Sequence, residues 1–302
     1  MFYHLLSSMG SGVRYREVTV KSALTRVQGM PFAWSLNPYY GCERACVYCY
    51  ARDYHARRGL DTGAGFDREI DVKINFPELL SHELGRLRKR ETVALGTATD
   101  PYQQCEGRYR ITRRTLEALV ASPLPLMVIT KGSMVVRDID LLTKLDVKVC
   151  VSIGTISDEL ARTSEPHASP PKARLEAVRR LVSAGIDAGV LAAPILPGLS
   201  DSEESIDAVA AAAARSGATF FSTRPLKLDP GVKPHYLAFL AEHHPALLPL
   251  TEASFADRVN PARAYTDILE ERARRVRSRY EFKERPFRRP EPTVPSQLRL
   301  AI

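Results

Sequence analysis

Short, nearly continuous apolar runs alternate with amphipathic stretches along most of this chain, and no other feature constrains its fold as much. Trp34 to Asn37 reads as a first short strand, and Glu69 to Asn75 alternates, with Ile70, Val72 and Ile74 on one face. TVALGT (92–97), PLMVIT (125–130), VKVCVSI (147–153), AGVLAAPI (188–195) and ATFFST (218–223) follow. Runs of this kind are typical of parallel strands buried on both faces. Helical patterns lie between them. PPKARLEAVRRLVSAG offers Ser169 as N-cap, Pro171 in the first turn and Gly185 at its end. SDSEESIDAVAAAAARSG carries Ser200 and Glu203 at capping-box spacing and stops at Gly217. Further helices are expected over 77–90, 112–121, 137–144, 232–244 and 261–279. About six strand–helix alternations require right-handed crossovers and a parallel sheet. Curled, that sheet is a full or partial βα barrel; open, it is doubly wound. Either way, chemistry belongs at the C-terminal ends of the strands.

The opening residues, to about Ala33, show no periodicity and read as an arm. The tail from Pro286, with four prolines before Ser296, reads as extended. The net charge of +8 is concentrated: nine Lys/Arg against two Glu fall between Arg272 and Arg289, which leaves the rest of the chain close to neutral. Such a stretch is a solvated helix face or a contact for nucleic acid or a partner. Five cysteines, three of them clustered, do not form an even disulfide framework. No apolar run approaches the roughly 18 residues of a membrane span, and nothing resembles a signal peptide. The expectation is a cytoplasmic protein with reduced thiols and no membrane partner.

NPYYGCERACVYCYARDYH places Cys42, Cys46 and Cys49 within eight residues. Three thiolates are one too few for a structural zinc site, which needs four ligands. His55 could complete a Cys3His set. Bacterial ferredoxin spacing has two residues in its first gap, whereas this loop has three. Cys150, inside VKVCVSI, reads as a buried core thiol.

The pattern Cys42-x3-Cys46-x2-Cys49, with aromatic Tyr48 before the last cysteine, resembles the signature of the radical SAM superfamily. In that superfamily the three thiolates hold a [4Fe–4S] cluster, and the fourth iron is left for S-adenosylmethionine (SAM). Reductive cleavage of SAM gives a 5′-deoxyadenosyl radical. NPYYGCERACVYCYAR, ALGTATDPYQ, ITKGS, VSIGT and APILPGLSD resemble the spore photoproduct lyase-like branch over about Leu24 to Leu228. The resemblance implies a partial (βα)6 barrel of the TIM type over 33–228, after an arm over 1–32. A C-terminal helical extension and basic tail fill 229–302. For SAM it implies Thr97, Thr99 and Asp100 after the third predicted strand, then Lys131 facing the SAM carboxylate. Ser152 is a ribose or carboxylate contact, Ile195 and Gly198 stand in the adenine-binding stretch, and Tyr48 lies near the adenine. Ala193 and Asp201 depart from that stretch's usual glycine and acid.

The same resemblance makes Tyr48, Tyr50 and Cys105 candidates for hydrogen transfer, Cys105 being expected near the barrel mouth. Asp100, Glu106 and Arg224 fall near predicted strand ends, while His167 and the pair His243–His244 read as structural. The reading is a radical SAM enzyme, lyase-like, that abstracts hydrogen from a substrate in which a nucleic-acid lesion or base is a reasonable class. An electron donor such as flavodoxin or ferredoxin is implied. The rival readings are a Cys3His zinc module whose basic tail grips nucleic acid, and an iron–sulfur redox sensor without SAM turnover.

Overall fold

The computed structural model describes residues 5–7, 12–87 and 89–286. Its larger sheet has seven strands. Six run parallel in the order Trp34–Leu36, Val93–Leu95, Leu126–Thr130, Val147–Ser152, Asp187–Ile195 and Phe221–Pro225. Helices connect them, so the sheet is an open, partial (βα)6 barrel of the TIM type. Register aligns Leu36, Leu95, Val128, Val149 and Ala188 in one row, every one fully buried. Side chains in register share a face, so this row is a continuous apolar layer. It holds the C-terminal rim of the strands in place.

Two expectations are corrected. Residues 1–32 are more than an arm: Arg14–Val18 pairs in parallel with Glu69–Lys73, and Thr25–Arg26 closes the large sheet antiparallel to Trp34–Leu36. The predicted strand over Glu69–Asn75 ends at Lys73 and belongs to a separate four-stranded sheet with Leu5–Ser7, Arg14–Val18 and Tyr39–Tyr40. Its charged Glu69, Asp71 and Lys73 suit a small sheet better than a barrel wall buried on both faces. Tyr39–Tyr40, antiparallel to this strand, leads straight into the cysteine loop.

Helix ends also differ. Pro170 rather than Ser169 is the N-cap of Pro171–Ser183, because the Ser169 hydroxyl is taken by the Ser133 N–H at 3.0 Å. Ser202 rather than Ser200 caps Glu203–Arg215, while Ser200 accepts from the Leu196 N–H. The helix expected over 77–90 is Phe76–Leu84, and that over 137–144 splits into a 3-10 turn, Ser133–Asp138, and Ile139–Leu142. Among the described residues no helix is long and apolar enough to cross a membrane.

After the barrel, Leu226, Leu228, Val232, Tyr236 and Phe239 pack into one cluster with Cys46 and Tyr48, so the C-terminal extension backs the cysteine loop. Helix Arg263–Arg277 lies along Glu203–Arg215. There Arg275 pairs with Glu203 at 2.8 Å, and Arg279 pairs with Glu203 and with Asp207. Arg272 donates to the Asp201 carbonyl at 2.8 Å. Much of the basic stretch is therefore spent within the molecule. Arg288, Arg289 and the proline-rich tail beyond Pro286 lie outside the described residues.

Lys73 is buried in the small sheet. Its ammonium donates to the Asn37 carbonyl at 2.5 Å and lies 3.7 Å from the Tyr40 ring centre. Burial, and next the Arg58 charge, bring its pKa from 10.5 down to about 7, with Asp71 opposing. The unfolded chain then binds more protons between about 7 and 10.5, so stability rises with pH across that window. Lys73→Met is expected to flatten this rise, measured as urea midpoints from pH 6 to 10. A slope equal to that of the unsubstituted protein would refute the assignment.

Candidate active site

The cysteine loop follows the first barrel strand, where the backbone turns through left-handed conformations at Gly41 (φ +74°) and Ala45 (φ +53°). A Cβ at Gly41 would stand 2.6 Å from the Glu69 carbonyl oxygen, so only glycine fits. The loop is tied on all sides. Cys42 N–H donates to Phe66 O (2.9 Å) and Val47 N–H to Ser164 O (3.0 Å). The buried Arg52 guanidinium reaches Cys46 O at 3.2 Å and pairs with Asp67 at 2.8 Å while lying over Phe66. Cys42 and Cys46 are buried, Cys49 is half-buried, and all three are free thiols.

Burial first, then the neighbouring Asp100 and Cys49 charges, push the Cys42 thiol up to about 12. Burial likewise lifts Cys46 well above its ordinary value, with Lys131 opposing. Three crowded thiols in this setting ionise only when a cation compensates them, which is what iron or another metal does for a coordinating thiolate. The donor set therefore fits an iron–sulfur cluster. Among the described residues no three His, Cys, Asp or Glu side chains are placed to hold one metal ion. His55 Nδ1 stands 3.2 Å from Asp61 O and the ring packs edge-on to Phe66. The charges that bear on His55 are those of Arg58, Asp71 and Arg16, on the small-sheet side.

The other predicted residues surround the rim. Thr97 Oγ1 is 2.6 Å from Ser35 Oγ, and Thr99 Oγ1 donates to Tyr39 O at 3.1 Å. Asn37 organises this segment, its amide oxygen accepting from Ala98 N–H at 2.8 Å and Thr99 N–H at 3.3 Å. Asp100 is fully engaged. Oδ1 accepts from Thr130 Oγ1 (2.7 Å) and Tyr102 N–H (2.8 Å), and Oδ2 from Lys131 N–H (2.8 Å) and Arg44 Nε (3.2 Å). It builds the rim and leaves no acceptor position for a ligand.

Lys131 and Ser152 meet: Nζ donates to Ser152 Oγ at 2.6 Å, and that hydroxyl donates to Ala193 O at 2.9 Å. Ile195 is buried and its carbonyl accepts from Leu226 N–H. Gly198 takes φ +74° in a turn where its N–H donates to Asp201 Oδ1 at 2.9 Å, a backbone conformation that favours glycine. Asp201 also accepts from Tyr265, which binds the C-terminal helix to this turn.

The two tyrosines beside Cys49 diverge. Tyr48 is buried with its hydroxyl on Glu165, whereas Tyr50 is exposed and donates to the Thr97 carbonyl. Cys105 is buried. It is 3% exposed in the main core, where its amide donates to Glu43 Oε1 at 2.8 Å. Burial, then the Glu43 charge, raise its thiol pKa strongly. Cys105 is the N-cap of the short helix Glu106–Tyr109. Glu106 is buried beneath Tyr39 and Arg137, Arg224 lies exposed against Thr223 O, and His167 supports the loop through Glu43 O at 2.9 Å. Sequence reading missed Arg44, Arg52, Asn37, Glu165 and Arg174. Only Asn37, in the NPYY segment just before the cysteines, carried a local signal.

The model of the Radical SAM superfamily matches residues 36–210 of this chain, more than half its length. An uncharacterized protein of Mycobacterium tuberculosis is 37% identical over 277 residues, covering 89% of this chain and 82% of its own. The radical SAM Nalpha-GlyT isomerase of Pseudomonas phage M6 is 27% identical over 165 residues, which is 54% of this chain and 33% of that protein. Among solved structures, a spore photoproduct lyase mutant with bound AdoMet and dinucleoside spore photoproduct matches with a TM-score of 0.70. That match has 16% identity and covers 89% of this chain and 79% of the other, a likeness of fold.

Proposed function

This chain belongs to the radical SAM superfamily, and on that premise we propose that its iron–sulfur cluster is a [4Fe–4S] cluster held by Cys42, Cys46 and Cys49, with SAM bound across the rim. The cluster and SAM, when bound, supply a 5′-deoxyadenosyl radical that takes hydrogen from substrate. The protein's share is placement. Lys131 and Ser152 present an ammonium and a hydroxyl suited to the SAM carboxylate. The Asn37-ordered segment 97–99 offers backbone and hydroxyl groups for its amine, and the Ile195–Gly198 turn is the stretch that would take the adenine. The observation that carries this reading is the loop itself: three free thiols, two of them buried, gathered at the C-terminal rim of a parallel barrel, beside an ammonium and a hydroxyl in contact.

The proposed substrate class is nucleic acid. The shared fold of a lyase that binds a dinucleoside supports it. So do Tyr50 and Tyr54, exposed aromatics just after the last loop cysteine that meet edge-on at 6.1 Å. Exposed aromatic side chains are the platforms on which unpaired bases stack. Engagement of Arg275 and Arg279 within the molecule shifts this role from the C-terminal helix to the rim. The electron donor is of the flavodoxin or ferredoxin kind. A hydrogen relay through Tyr50 fits its place at the mouth better than one through Cys105.

Anaerobic reconstitution with iron and sulfide is the test. The expected result is broad absorption near ~400 nm, as iron–sulfur sites show, and 5′-deoxyadenosine on reduction with SAM. Deuterium from labelled single-stranded oligonucleotides should appear in that product. Stoichiometric zinc without a cluster would overturn the proposal. A cluster that never cleaves SAM would make the protein a redox sensor.

A further inference from the structure

Behind Lys131 lies a closed ring of buried charge that the SAM-binding residues alone do not account for. Glu165 Oε1 accepts from the Tyr48 hydroxyl and stands 3.3 Å from Lys131 Nζ. Its other oxygen accepts from Arg174 Nη2. Arg174 in turn donates to Ser152 O at 2.7 Å and to Ser169 O at 2.5 Å, and the ring closes through the Lys131–Ser152 contact at 2.6 Å. The Glu165 and Arg174 side chains are 4% and 1% exposed, and that of Lys131 is 15% exposed. Burying such a pair costs more desolvation than a hydrophobic replacement would, so stability is a poor reason for its presence. Two cations share one carboxylate, which leaves one surplus positive charge, and the most accessible cation is Lys131.

We infer that Glu165 is a positioning residue: it holds the Lys131 ammonium at the rim, and through Tyr48 it ties that ammonium to the loop carrying Cys46 and Cys49. The inference rests on the proposed SAM site and deepens it. Glu165 acts on the ligand only through Lys131. Arg174 keeps Glu165 ionised and aimed, and anchors Ser152 from below. A carboxylate arriving at Lys131 then meets an ammonium already immobilised, so little side-chain entropy remains to be lost on binding.

The experiment measures SAM binding to the reconstituted full-length protein by equilibrium dialysis, with iron content determined on the same samples. Glu165→Gln keeps the shape and an acceptor for Tyr48 but removes the charge that holds Lys131. Its Kd for SAM should weaken about tenfold, the scale of one charge-assisted contact, at unchanged iron content. In a Lys131→Met background the same change should have no further effect, since coupled residues are non-additive. Glu165→Asp retains the charge and should recover part of the affinity. It also serves as the variant to read if Glu165→Gln does not fold. An unchanged Kd in both Glu165 variants, or an equal loss with and without Lys131, would overturn this inference and leave the SAM site standing. A wild-type protein that takes up its cluster and binds no SAM would overturn both.

Discussion

Cys42→Ala, Cys46→Ala and Cys49→Ala should each reduce bound iron, absorption near ~400 nm and 5′-deoxyadenosine formation to background. The effect is complete because each of the three thiolates would hold one iron of the cluster. His55 Nδ1 is engaged by the Asp61 carbonyl, and the Cys105 amide is held by Glu43 in the core. Two controls separate ligand loss from general damage. Cys150→Ala and Cys105→Ala also remove buried thiols, and each should cost about 1 kcal/mol of stability, as modest core truncations do, with iron content retained. Iron bound at full stoichiometry in any one loop variant would show that another residue serves as ligand.

The second large effect concerns Asp100. Asp100→Ala should destabilise the apo-protein by about 3–5 kcal/mol, the usual result of removing one partner from a buried pair. Arg44 would keep its charge with a side chain only 7% exposed, and Thr130, Tyr102 and Lys131 would each lose an acceptor. Guanidinium denaturation measures this directly. A loss below ~1 kcal/mol, the range of exposed pairs, would mean that water reaches Arg44.

The same carboxylates set an acid limit. Burial would raise the pKa of Asp100, but Arg44, the Thr130 hydroxyl and two backbone N–H groups hold it below 3.8. Burial would likewise raise Glu165, but Lys131 and Arg174 bring it from 4.5 to about 2. Both are depressed in the folded state. Their contribution is fully present above the unfolded values and is lost as pH falls through the folded ones. The native protein should therefore lose stability between about pH 4.5 and 2. The Glu165→Gln variant, lacking one of these protons, should lose less over the same interval.

Local patterning carried much of this molecule. The apolar runs that became six parallel strands were visible because burial on both faces leaves no room for polar residues, and the cysteine spacing was visible because one loop holds all three thiols. The Glu69–Asn75 run was recognisable as a strand, but its sheet was not, since partners at Arg14–Val18 and Tyr39–Tyr40 are chosen by tertiary fit. Cys105 shows the same limit: its residue type invited a role, and its depth comes with a contact to Glu43, a residue far away in the chain. The strand–helix alternation and the three-thiol loop are written locally, because both depend on residues close along the chain. Folding alone pairs Asp100 with Arg44, and Arg275 and Arg279 with Glu203 and Asp207. It alone set Glu165 and Arg174 behind Lys131. Those contacts join segments far apart in sequence, and a buried charge takes its meaning from the partner that folding brings to it.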